Sequence, residues 1–241
     1  MKLGDYFKQK ESETGATLQP KGYFIMRLDG KAFHTFTRGL NKPFDLTLSQ
    51  AMVDTTRKLC ASIQNIKMGY TQSDEISLIL SDLNDTNPNT SLWYDGDVQK
   101  MVSVSSSMCT AFFNNLYQHT NKDSLAFFDS RVFRVETLED VQKYLVWRQR
   151  DAIKNGTTLV SLKHYSDKQI HGKHTGEKIE MIKSKGDSLD NYELGLIQGY
   201  SILKGSKEVS FVNPKTNEAG LVTRTFWNSL AAEDFMMKFS L

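Results

Sequence analysis

The order of apolar and amphipathic segments between residues 23 and 135 restricts the fold of this chain more than any other feature. A strand is predicted at 23–28, a helix at 47–64, two strands within 66–80, a helix at 98–118 and a strand at 126–135. The order β-α-β-β-α-β is that of ferredoxin-like folds, in which the first and third strands are antiparallel neighbours at the centre of one sheet. We therefore predict an α+β protein with a ferredoxin-like core.

Two helix starts are predicted from capping-box spacing. Thr47 and Gln50 have this spacing at the first helix, and Thr137 and Asp140 have it before a long amphipathic segment. The second of these starts opens the less regular part of the chain, in which only 199–203 and 208–212 are predicted as short strands.

Carboxylates stand where the two central strands are predicted to end or begin. Asp29 follows the apolar run of the first strand, whereas Asp74 and Glu75 lie between the second and third strands. Antiparallel neighbours lie about 4.8 Å apart, so Asp29 and Asp74 are expected to converge on one divalent cation. Side-chain alternation leaves Glu75 on either face of the sheet. This is the geometry of a polymerase palm or a nucleotide cyclase.

Small and basic residues next to these acids are candidate phosphate contacts. Gly30 permits close approach of the backbone to a ligand, and its carbonyl is a candidate metal ligand. Lys31, His34, Lys42 and Ser73 are candidate triphosphate contacts. The alternative is that the lysines are solvated, that His34 is structural and that Gly30 is an ordinary turn residue.

The charge balance does not single out a nucleic-acid partner, because 30 basic residues face 28 acidic ones. The segment 163–185 carries six lysines and three histidines and is a candidate RNA-backbone contact, although Asp167, Glu177 and Glu180 make a solvated surface an alternative.

The cysteines and the remaining aromatic candidate favour structural roles. Cys60 and Cys109 are far apart and form no CxxC, which suits a reducing, cytoplasmic location and a place in the core. His171 and His174 have no cysteine nearby, which argues against a zinc site. Trp147 is predicted to be a packing residue.

Five blocks of this sequence resemble those of the tRNA-His guanylyltransferase family, most closely its bacterial and archaeal like-protein branch. They are R-L-D-G-K-A-F-H-T-F-T-R-G-L-N-K-P-F-D at 27–45, Y-T-Q-S-D-E-I-S-L at 70–78, F-D-S-R-V at 128–132, W-R-Q-R-D-A at 147–152 and G-E-K-I-E at 176–180. The resemblance implies a palm-like catalytic domain at 1–136 and a mainly helical, fingers-like extension at 137–241 that packs on the palm and binds tRNA.

The resemblance also implies specific site residues. The catalytic acids would be Asp29, Asp74 and Glu75, and two Mg²⁺ ions would be held by Asp29, the Gly30 carbonyl and Asp74. The implied nucleotide contacts are Asp29, Gly30, Lys31, Ala32, Phe33, His34, Lys42, Asp45, Ser73, Asp74 and Lys100. The implied RNA contacts are Arg131, Arg148, Asn155 and Lys178.

The activity implied by the resemblance is 3′-to-5′ nucleotide addition to tRNA by a homotetramer. ATP activates the 5′ end, and the 3′-hydroxyl of GTP then attacks it and releases AMP. Ile153 replaces a histidine that eukaryotic members use for tRNA-His recognition, which favours templated repair of 5′-truncated tRNA over addition at position −1. The segment at 93–97 lacks the family's basic pair, and Lys100 is the next lysine.

Two other functions remain compatible with the element order. A nucleotide cyclase would use the same palm and the same acids without RNA. A noncatalytic RRM-like module shares the order β-α-β-β-α-β, but no K/R-G-F/Y-G/A-F-V-x-F/Y block is present in the chain.

Overall fold

The computed structural model describes residues 3–83, 87, 89–118, 124–212, 214–215 and 217–232. The α-helices are α1 (Leu3–Glu13), α2 (Phe33–Phe36), α3 (Leu46–Ser62), α4 (Val98–Leu116), α5 (Leu138–Leu162), α6 (Asp167–Ile170), α7 (Thr175–Ser184) and α8 (Leu194–Gln198). The strands are β1 (Tyr23–Gly30), β2 (Ile66–Gln72), β3 (Glu75–Ser81), β4 (Phe128–Val135), β5 (Tyr200–Val212) and β6 (Ala219–Ala231). Short 3₁₀ turns lie at Trp93–Gly96 and Leu189–Asn191.

The six strands form one antiparallel sheet in the order β4-β1-β3-β2-β5-β6. The first four reproduce the predicted ferredoxin-like order, with β1 and β3 adjacent at its centre, so the predicted fold class is confirmed. Strand β5 pairs with β2, Met68 lying opposite Leu203 and Thr71 opposite Tyr200. The sheet therefore continues past the predicted boundary at 136 into the second part of the chain.

Helices cover both faces of the sheet, because the central strands are apolar on both sides. On one face, alternate β1 residues such as Phe24 and Met26 pack in a cluster with residues of α3 and α4. On the other face, Ile25 packs with Tyr70 and with Leu145 of α5. The side chain of any β1 residue that has the parity of Ile25 consequently lies on the α5 face.

The caps explain where the helices begin. Asp45, rather than the predicted Thr47, caps α3, and its carboxylate accepts a hydrogen bond of 2.9 Å from the Leu48 N–H. The capping box predicted at Thr137 and Asp140 is confirmed at the start of α5.

Strands β5 and β6 differ most from expectation. The two short strands predicted at 199–203 and 208–212 are parts of the single 13-residue strand β5. It pairs along its whole length with β6, which we did not predict. Within the described residues, no helix combines the length and apolar character needed to cross a membrane. The last part of the predicted extension, 233–241, lies outside the described residues.

Candidate active site

Two candidate catalytic acids meet at one end of the sheet. Asp29 is the penultimate residue of β1 and pairs with Glu75 on β3. Asp74 belongs to the two-residue turn that joins β2 to β3. Burial raises the pKa of Asp74, and the negative charge of Asp29 raises it further. Asp29 lies opposite Glu75, and Asp74 directly precedes Glu75, so both carboxylates stand at the same end of the sheet, where a cation between them would relieve their repulsion.

The donor atoms at this end suit a hard cation such as Mg²⁺, which prefers oxygen ligands and keeps part of its water shell. Asp29 and Asp74 supply carboxylates, and Gly30 adjoins them with a backbone carbonyl. No group of three or more His, Cys, Asp or Glu side chains in the described part of the chain could hold a metal ion. If Asp29 and Asp74 bound a cation, its other coordination positions would thus be filled by carbonyl, water or phosphate oxygens.

Gly30 is required by packing as well as by its place beside Asp29. A Cβ at this position would lie 2.2 Å from Cδ2 of Phe33. The Phe33 ring cannot easily move away, because it packs against Phe36, Phe113 and Phe128 with centroids 5.0 to 5.7 Å apart. Glycine at residue 30 therefore leaves room for the Phe33 ring, and the packing of that ring fixes the position of the loop that follows β1.

The predicted phosphate-binding residues lie on two tight segments beside the acids. The Lys31 N–H donates to the Phe127 carbonyl at 2.8 Å, so this N–H is already used, whereas the Lys31 side chain is exposed to a ligand. Ala32 and Ser73 both have left-handed backbones, with φ of 53° and 50°. Such conformations are uncommon for residues other than glycine and cluster at functional sites. His34 lies exposed on α2.

A cavity of about 210 Å³ adjoins the Ser73–Asp74 turn. Its walls come from the 37–45 loop, the end of β2, the middle of α5 and the start of α8. Lys42, Asp45, Ser73 and Asn155 are the predicted site residues that line it. Apolar walls with a few polar groups are typical of small-molecule sites. Asp45 lines the cavity while its carboxylate caps α3 and accepts from the Asn41 side chain at 3.2 Å.

Glu75 and Arg148 are each other's partners. The Arg148 guanidinium donates two hydrogen bonds of 2.7 Å to the Glu75 carboxylate, and each side chain is only 7% exposed. Arg148 also donates to Asp151 at 2.9 Å. Burial raises the pKa of Glu75, and the positive charge of Arg148 opposes that shift. Glu75 thus shares a sheet face with Asp29 and is paired there with Arg148, while the catalytic role of Glu75 and the RNA contact of Arg148 remain predictions.

Lys100, a predicted nucleotide contact, lies away from the acid pair. It lies in the first turn of α4, where its N–H donates to Asp97 at 3.0 Å. Phe113, near the other end of α4, is the residue that packs beside Gly30 and Phe33. Lys100 is therefore more than three helical turns, or roughly 20 Å, from the active end of the sheet.

The other predicted RNA contacts lie at separate places on the surface. Arg131 is exposed on β4 and donates to Asp129 at 2.9 Å. Asn155 is exposed on α5, and Lys178 on α7 donates to the Thr158 hydroxyl at 3.0 Å. In the lysine-rich segment, Lys163 and His164 both lie within 3.1 Å of the Asp187 carboxylate.

Three residues near the acids were missed by sequence reasoning. Gln72 lines the cavity, Asp151 completes the ion pair with Arg148, and Arg27 lies on the same face of β1 as Asp29. Asp151 recurs at helical spacing between Trp147 and Asn155, a signal that the sequence does contain.

Comparisons with known proteins identify the family of this chain. A family model described as tRNAHis guanylyltransferase matches residues 4–136. The tRNA(His) guanylyltransferase of Schizosaccharomyces pombe is 30% identical over 208 residues, covering 78% of this chain and 75% of that protein.

Two solved structures of bacterial proteins are similar over nearly the whole chain. A bacterial tRNA(His) guanylyltransferase-like protein in complex with ATP has a TM-score of 0.84 and 29% identity, covering 98% of this chain and 95% of that one. One in complex with GTP has a TM-score of 0.77 and 28% identity, covering 98% and 94%. The resemblance drawn from the sequence blocks is confirmed. The family model spans more than half of the residues of this chain. The chain therefore belongs to the tRNAHis guanylyltransferase family, whose members are nucleotidyltransferases.

Proposed function

We propose that this protein is a template-dependent 3′-to-5′ nucleotidyltransferase that activates the 5′ end of tRNA with ATP and adds nucleotides to it. The observation that carries the proposal is the placement of Asp29 and Asp74 at one end of the sheet, beside a cavity of about 210 Å³. The similar solved structures in complex with ATP and with GTP support nucleotide binding at such a fold.

Each residue has a physical role in this proposal. Asp29, Asp74 and the Gly30 carbonyl would hold two Mg²⁺ ions, which would supply positive charge to stabilise the attacking and leaving oxygens. The exposed side chains of Lys31 and His34, with Ser73, bind the triphosphate. The cavity holds the nucleoside, with Lys42 and Asp45 at its rim.

The proposed RNA substrate is tRNA that lacks nucleotides at its 5′ end. Ile153 packs against the buried cluster of Val160, Ile182 and Ile197, so an apolar contact replaces the histidine of eukaryotic members. Arg131, Asn155 and Lys178, with the segment 163–185, supply groups for RNA contact. Assembly of the protein into a homotetramer and its location in the cytoplasm remain predictions.

The alternatives have less support. An RRM stacks bases on an open sheet face, but α5 covers the Ile25 face here and α3 with α4 cover the other. A cyclase would need the acids and the cavity but none of the RNA contacts.

One experiment separates these functions. The protein is incubated with Mg²⁺, ATP, GTP and a tRNA that lacks its first nucleotide, and the 5′ end of the product is mapped. We expect extension by the nucleotide that pairs with the template base. A cyclic nucleotide formed without RNA would identify a cyclase, and tRNA binding without any product would identify a noncatalytic module. Either result would overturn the proposal.

A further inference from the structure

Trp147 is the aromatic residue whose surroundings differ most from expectation. It was predicted to be a packing residue, but it is 52% exposed on α5. Exposed tryptophans are uncommon on surfaces that have no ligand or partner, because burial of the indole is strongly favourable.

Neighbouring side chains hold the indole in place. The Arg148 guanidinium lies 4.4 Å from the centroid of the ring, and the Tyr144 ring packs edge-on against it at 5.8 Å. Arg148 is itself fixed by Glu75 and Asp151. Because the ring is ordered in advance, a ligand that stacks on it loses little conformational entropy in doing so.

Positively charged side chains lie beside Trp147, on the side nearer to Asp29 and Asp74. The Arg27 guanidinium is 6.0 Å from the indole centroid. Arg27 shares a strand face with Asp29, two residues or roughly 7 Å along β1. Arg131 lies opposite Arg27 on β4, and the exposed ring of Phe133 follows it on the same face. A strip of cationic and aromatic side chains thus begins next to Asp29, and Asp129, which pairs with Arg131, lies at the same end of it.

Towards its C-terminal end, helix α5 reaches from Trp147 to the cavity. Asp151, Asn155 and Leu159 follow Trp147 at intervals of one helical turn, and the last two line the cavity. From Trp147 to Leu159 the helix extends roughly 18 Å. The acid end of the sheet therefore lies between the cavity of about 210 Å³ and the exposed indole.

We propose that Trp147 is a stacking platform for an unpaired nucleobase of the RNA strand whose 5′ end reacts at Asp29 and Asp74. Arg27 and Arg131 attract the phosphates on either side of that base. Stacking on aromatic rings together with neighbouring cations is how proteins hold unpaired RNA. The inference rests on the proposed function, because it names the surface along which the RNA reaches the acids.

Fluorescence of Trp147 tests this proposal directly. The chain has three tryptophans, so Trp93→Phe with Trp227→Phe leaves Trp147 as the single reporter. Titration with tRNA lacking its first nucleotide is expected to quench its emission. Replacing successive nucleotides at the tRNA 5′ and 3′ ends by abasic ones is expected to abolish the quench at one position, which identifies the stacked base.

Binding of variants supplies the second measurement. Trp147→Ala is expected to weaken tRNA binding about tenfold or more, whereas Trp147→Phe retains most of the affinity. Arg131→Gln is expected to reduce the slope of log K against log salt by about one. Leu138→Ala is the matched control, since Leu138 is 53% exposed on the same helix at its distant first turn. It is expected to leave both quantities unchanged.

The outcomes separate this inference from the proposed function. Nucleotide addition with neither a quench nor a loss of affinity in Trp147→Ala would overturn the platform and leave the function intact. A position-specific quench without any nucleotide addition would support the platform and overturn the function. If only protein ligands, and no RNA, altered Trp147 emission, the platform assignment would be wrong.

Discussion

At the scale of single residues, Asp29 and Asp74 are the acids to which the proposed function assigns the chemistry. We predict that Asp29→Asn and Asp74→Asn each lower kcat by at least about 10²-fold, because each removes a preorganised charge that acts on the transition state. Glu139→Gln is the control, since Glu139 forms an exposed pair with Lys143 at the start of α5. Single-turnover rates and melting curves are measured for all three. Unimpaired turnover in Asp29→Asn or Asp74→Asn would remove that acid from the metal site.

Gly30 provides a test of the packing beneath these acids. Gly30→Ala forces a methyl group into the Phe33 ring, and such overpacking costs about 1–3 kcal/mol. We expect lower stability and, because Asp29 is displaced, a lower kcat. Phe33→Leu in the same chain should restore part of both. Gly176→Ala is the matched control: a Cβ there meets nothing within 4 Å, so this variant should lose no stability.

The buried pair of Glu75 and Arg148 makes a different prediction, about stability. Arg148→Met leaves Glu75 buried without its partner and should cost about 3 kcal/mol or more. Glu75→Gln should cost less, since Arg148 keeps Asp151. The double variant should be more stable than the sum of the single losses implies, because it leaves no uncompensated carboxylate. Urea unfolding of all four proteins measures this coupling, and purely additive losses would contradict it.

Residue roles were predictable where they follow from position on a strand, and not where they depend on a distant partner. Asp29 and Asp74 could be paired because adjacent antiparallel strands bring strand ends together. The partner of Glu75 is 73 residues away on a helix whose packing no local pattern specifies. For the same reason Trp147, in a helix with an apolar stripe, was assigned to the core.

At the scale of elements, local signals located the long helices and missed the last hairpin. The start of α5 was predictable because its capping box is a local signal. Helix α3 instead is capped by Asp45, which lies outside the predicted pair of Thr47 and Gln50. Strand β6 contains L-V-T-R-T-F-W, rich in residues that favour strands, so its signal was present in the sequence. Its pairing with β5 across the whole length was not, because register depends on tertiary contacts.

The contact between the end of α5 and the segment after α7 makes a prediction about pH. Hydrogen bonds from His164, Asn191 and Tyr192 hold the pKa of Asp187 far below its usual range. Its unfolded value is about 3.9, so the stability contributed by the ionised group is present above that pH and lost as pH falls towards the folded value. We expect Asp187→Asn to lower the urea midpoint at pH 7.

That difference should shrink as pH falls below about 4, because the unfolded wild type then takes up a proton on Asp187 more readily than the folded protein does, whereas residue 187 of the variant does not titrate. Asp190→Asn is the control, since Asp190 is an exposed neighbour. A difference between wild type and Asp187→Asn that is constant over this range would show that the carboxylate contributes by shape rather than by charge.

At the scale of the whole molecule, residues 1–136 and 137–241 share one sheet. Residues of both parts also pack in the two hydrophobic clusters that lie on its two faces. Helix α5 covers Ile25, Tyr70 and Ile79, and β5 pairs with the free edge of β2. A chain that ends at 136 would expose this apolar face and leave the backbone of β2 unpaired. Both features favour aggregation of strands and loss of a cooperative fold.

We therefore predict that the fragment 1–136 has no cooperative thermal transition of its own, whereas the full chain unfolds in one step. Calorimetry and near-UV circular dichroism distinguish these states, because fixed tertiary packing gives both a heat-absorption peak and aromatic signals. Adding the separate fragment 137–241 should restore the signals if the interface of α5 and β5 is what the shorter fragment lacks. A fragment 1–136 that melts cooperatively near the temperature of the full chain would show instead that the palm is an independent domain and that α5 is an addition to a finished core.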